Sequence, residues 1–68
     1  MAVVKTIDLD GVSSESWRDA AHKALDEATK TLRNVEGFNV LDTSAVVDDA
    51  GDISEYHTHI RVRFRISR

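Results

Sequence analysis

Five side chains with capacity for chemistry alternate near the C-terminus: His57, His59, Arg61, Arg63 and Arg65. Two imidazoles two residues apart on a strand share a face and present a pair of metal ligands, although a tetrahedral site needs further groups from elsewhere. Three arginines at the same spacing supply forked donors for phosphate, including the tail of a nucleotide cofactor or coenzyme A. The plainer alternative is pairing with acids such as Asp8 and Asp10 across a sheet or between subunits, since like charges side by side repel. A second group, Asp48, Asp49 and Asp52, offers oxygen ligands for calcium or magnesium. That stretch is shorter than a calcium-binding loop and lacks its closing glutamate, so a solvated acidic turn competes with the metal reading. Ser13, Ser14 and Ser16 precede an apolar-periodic run, where helix capping explains them without a serine triad. With no cysteine nucleophile, glycine-rich phosphate loop or metal motif, the expectation is a protein that is not an enzyme.

The histidines and arginines ride on one strict alternation from Tyr56 to Ile66. In an extended strand Tyr56, Thr58, Ile60, Val62, Phe64 and Ile66 face one way and the basic side chains the other. Upstream, Val3 to Leu9 reads as a first strand that breaks at Asp10-Gly11. Trp17, Ala20, Ala21, Ala24, Leu25, Ala28, Leu32 and Val35 then recur at three- and four-residue spacing, the stripe of an amphipathic helix. Its alanines let it lie close on a sheet, and Trp17 reads as core or subunit contact. Asp19 to Lys23 and Asp26 to Lys30 stand at supportive spacing on the solvated face, and His22 reads as exposed. Gly37 suits a left-handed helix cap. Phe38 to Val47 favours a strand, and Asp48 to Asp52, with Gly51, forms the turn of a hairpin with the last strand.

The order is therefore β-α-β-β, an α+β fold in which a three-stranded antiparallel sheet curves around one helix. If the first strand flanks the last, the basic strand is central and Asp8 and Asp10 lie opposite its arginines. A chain of 68 residues without cysteine is read as a single domain, 1–68, with no disulfide framework. So small a core favours self-association. Twelve acids against nine bases, a formal charge of -3, disfavour nucleic acid as a partner. No stretch approaches a membrane span, and the opening Met1-Ala2-Val3-Val4 lacks the charged start of a signal peptide, so a soluble cytoplasmic protein is expected.

The opening Val4-Lys5-Thr6-Ile7 with Gly11 and Ser14, the helix with Ala20, Ala21, Ala24 and Leu32, and the ending Tyr56 to Phe64 together resemble the dodecins over nearly the whole chain. The resemblance implies a hollow homododecamer of cubic symmetry. It also implies flavin (FMN or riboflavin) bound as stacked pairs at subunit interfaces, and a role in storage rather than catalysis. Family positions that contact flavin fall on Gly37, where a stacking tryptophan stands within a Trp-Phe-Glu-Val type segment, on His57 in place of a glutamine, and on the retained acid Asp42. The chain thus resembles the branch without the stacking tryptophan. Two readings follow: a binding protein for a planar or phosphorylated ligand, or a structural or calcium-binding assembly with no organic ligand.

Overall fold

The computed structural model describes residues 2–67, with side chains from 3 to 66. Strand β1 (Ala2–Ser13) leads into helix α1 (Trp17–Thr31), which is followed by strands β2 (Val35–Val47) and β3 (Ile53–Ser67). The strands form one antiparallel sheet in the order β1-β3-β2, so the first strand does flank the last and the basic strand is central. Ile60, Val62 and Thr58 are buried on one face of β3 against Ala21, Ala24 and Ala28 of α1, with Ile7, Leu9, Leu32 and Val35 packed around them.

Gly11 does not break β1. It pairs with Thr58 in the middle of the ladder, and a Cβ there would run into the Ala20 carbonyl and come within 3.1 Å of the Ala24 Cβ. The glycine is the place where the helix backbone touches the sheet, which a bare Asp-Gly signal does not reveal. The cap of α1 is Ser16, whose side chain accepts from Asp19 N at 2.9 Å. Ser13 is buried one step earlier, donating to Asp19 Oδ2 at 2.5 Å and accepting from Glu15 N.

Gly37 does not cap the helix. The helix ends at Thr31, and Asn34 (φ 60) takes the left-handed conformation. Its carbonyl accepts from Arg65 N at 3.0 Å, which turns the chain straight into β2. Lys23 pairs with Asp19 at 3.4 Å as its spacing suggests, whereas Lys30 takes Glu27 at 3.1 Å rather than Asp26. His22 is exposed.

Fifteen helical residues span about 22 Å, whereas fifteen residues of β3 span about 50 Å. The molecule is 54 Å along its longest axis. The helix therefore covers less than half of the sheet. The hairpin arm lies beyond its reach and leaves Val46, Val47 and Ile53 exposed, while Val40 and Leu41 are exposed nearer the helix on the edge strand β2.

Candidate functional site

The outer face of the sheet, away from α1, carries every basic side chain of β3 in register with its neighbours. In successive rows, His57 pairs with Val12 and Ser44, His59 with Asp10 and Asp42, Arg61 with Asp8 and Asn39, and Arg63 with Thr6 and Gly37. Three irregularities in the β2 ladder, at Val35/Gly37, Val40/Asp42 and Val46/Val47, set which residues meet.

This face distributes its charge unevenly. Arg61 donates from Nε and Nη2 to the Asp8 carboxylate at 2.8 and 3.1 Å. That pairing, with a smaller contribution from His59, holds the Asp8 carboxyl below the usual carboxylate range, against the opposing effect of desolvation, and raises Arg61. Arg65 donates from the same two nitrogens to Glu36 at 3.1 and 3.0 Å. Glu36 is a partner that the sequence pattern does not single out. Arg63 instead donates from Nη1 to the neutral Asn39 Oδ1. Its other terminal nitrogen hangs over Gly37, 2.5 Å from where a Cβ would stand.

The histidines share acids rather than a metal-like cluster. Asp10 lies between them, 3.9 Å from His57 Nδ1 and 3.7 Å from His59 Nδ1, while Glu55 meets His57 Nε2 at 3.1 Å and Asp8 meets His59 Nε2 at 3.5 Å. Asp10 thus faces histidines and not the arginines. Among the described residues no three His, Asp or Glu side chains converge as a metal ligand set.

The residues singled out from the sequence are spread out within one chain. Gly37 sits opposite Arg63 and His57 six residues further along the same strand, which separates them by about 20 Å, with Asp42 between them. Asp48 accepts at Oδ1 from the backbone amides of Ala50 and Asp52, both at 3.0 Å, and so braces its own turn around Gly51 (φ 86). Asp49 and Asp52 are exposed beside it. Trp17 bridges elements: Nε1 donates to the Ser44 carbonyl at 2.8 Å, the ring meets Tyr56 edge-on at 4.8 Å, and the Trp17 carbonyl accepts from Thr58. The Gly37–Arg63–Asn39 contact was the signal missed in the sequence. Only the strand register, with its bulges, brings it about.

The Dodecin family model matches residues 3–67. The chain is 36% identical to the dodecin of Thermus thermophilus over 64 residues, 94% of this chain and 91% of that one. It is 33% identical to the calcium dodecin of Mycobacterium tuberculosis over 66 residues, 97% and 92% of the two chains. Among solved structures, a mutant of the Thermus thermophilus dodecin superposes with a TM-score of 0.92 over the whole of both chains at 34% identity. The calcium dodecin of Mycobacterium tuberculosis, described as having a novel calcium-binding site, superposes at 0.83 over 96% of this chain and 91% of that one, at 32% identity. No helix among the described residues is long and apolar enough to cross a membrane.

Proposed function

The chain belongs to the dodecin family, and from that premise we propose a non-enzymatic small-ligand binding and storage protein that works as a homododecamer. The outer sheet face is its ligand face. Copies of the chain cover the sheet beyond the helix, where apolar side chains such as Val46 (44% exposed) and Val47 (57% exposed) lie bare. Assembly also answers the separation of Gly37, Asp42 and His57 along one chain, because a site at a subunit contact draws these positions from different copies.

The observation that carries the reading of the ligand is the Arg63 guanidinium lying over Gly37. A flat ring gains much of its affinity by stacking on an aromatic face, and a glycine covered by a cation offers none. The ligand is a planar or phosphorylated molecule held by charge and hydrogen bonds, and flavin is at best a weak occupant. Titration of riboflavin, FMN and lumichrome with excess protein tests this: flavin emission is expected to stay nearly unchanged. Strong, stoichiometric quenching would overturn the charge-based reading.

Calcium is the second reading, favoured by the likeness to a protein named calcium dodecin. In this chain Asp48, Asp49 and Asp52 would contribute, with several copies completing the ligand set. A calcium-dependent rise in melting temperature that a chelator reverses supports it. Its absence removes it.

A further inference from the structure

The three arginines of β3 differ in what they hold. Arg61 and Arg65 each present the Nε–Nη2 edge of the guanidinium to a carboxylate, Asp8 and Glu36 respectively. The equivalent edge of Arg63 has no acidic partner among the described residues, and its one side-chain bond is from Nη1 to Asn39. Its register neighbours, Thr6 on β1 and Gly37 on β2, bring no carboxylate to that row. Arg63 is also half-buried, whereas Arg61 and Arg65 are exposed, so its charge is less relieved by water. Asn39 fixes the plane of the guanidinium, and a fixed fork loses less freedom when it takes up two oxygens.

The geometry points to Arg63 as an oxyanion-recognition residue, whose Nε–Nη2 edge takes a carboxylate or phosphate group of a small molecule above Gly37. Gly37 contributes by having no side chain, which leaves room for the guanidinium to lie over it. Asn39 is a positioning residue that holds Nη1 and leaves the Nε–Nη2 edge without a side-chain partner among the described residues. The inference rests on the reading of the outer face as the ligand face, and it assigns the chemical class of the group bound there.

The test is calorimetric titration of the assembled protein with inorganic phosphate and, separately, with benzoate, at constant ionic strength in chloride. Saturable uptake of at least one of the two is expected, and which one saturates identifies the oxyanion. Arg63→Ala is expected to weaken it by about tenfold or more, and Arg63→Lys, which keeps the charge but not the fork, to recover only part of the loss. Arg33→Ala removes an exposed charge near the helix end and is expected to bind as the parent does. Equal weakening by Arg33→Ala would show diffuse attraction and overturn the assignment. So would full binding by Arg63→Ala, or no saturable uptake of either anion, which would hand the fork to a carboxylate of a neighbouring copy. Circular dichroism and solution mass on each variant keep folding separate from binding. A monomeric mass would sink the broader functional reading, whereas an assembled protein blind to oxyanions sinks only the role of Arg63.

Discussion

Gly37→Trp, made alone and together with Arg63→Ala, separates the two reasons why this face lacks a stacking site. An added Cβ at position 37 falls 2.5 Å from Arg63 Nη2 and 3.4 Å from Cζ. Gly37→Trp alone therefore forces the guanidinium aside and disrupts its bond to Asn39, at a cost of about 1 kcal/mol. In the double variant the space is clear. Stacking on an indole contributes roughly 1–3 kcal/mol per ring, which is about 5- to 150-fold in Kd. The assay is quenching of riboflavin emission, chosen because riboflavin carries no phosphate and is insensitive to the loss of the Arg63 charge. The parent and Arg63→Ala are expected to quench little, Gly37→Trp modestly, and the double variant most, about fivefold tighter than Gly37→Trp. If Gly37→Trp alone quenches as well as the double variant, Arg63 does not obstruct this face. If the double variant, with intact assembly, fails to quench, the surface over Gly37 is not where a ring would lie.

Gly11→Ala is expected to push α1 off the sheet, because the new methyl meets backbone at Ala20 and the Ala24 Cβ at 3.1 Å. Overpacking of this kind costs about 1–3 kcal/mol, so thermal denaturation should come at least about 4 °C lower; an unchanged melting curve would contradict the close contact. Acid stability follows from Asp8, held down chiefly by its hydrogen bonds to Arg61, and Asp19, held down chiefly by the Ser13 hydroxyl and further by Lys23. Both carboxyls sit below their ordinary value of 3.8 in the folded chain. Their contribution is thus fully present above that value and is lost as pH falls through the lower folded one. Melting temperatures measured from pH 5 down to pH 2 should fall at the acid end, and Asp8→Asn should flatten the slope. A slope unchanged by Asp8→Asn would mean that the Arg61 pair contributes nothing.

Much of the fold was legible because it rests on local periodicity. The alternation from Tyr56 to Ile66 places Ile60 and Val62 inside and the arginines outside, and the alanine stripe of α1 is buried as its spacing requires. Features set by contacts between distant segments were not legible. Gly11 looks like a breaker until Ala20 is seen against it, and Gly37 looks like a cap until Asn34 is seen to make the turn. The pairing of Asp8 with Arg61 could be anticipated from β1 lying beside β3. The partners of Arg63 and Arg65 could not, because the bulges of β2 shift Asn39 and Glu36 into place and change which residues face each other. Charge alternation showed a ladder of three equal arginines, whereas the folded chain neutralises two and leaves the central one on an amide.

The mass of the protein in solution bears most directly on the account as a whole, because the ligand face is complete only when copies of the chain meet. Native mass spectrometry is expected to give about 91 kDa, twelve chains of 7.6 kDa each. A species of 7.6 kDa at the same protein concentration would contradict it.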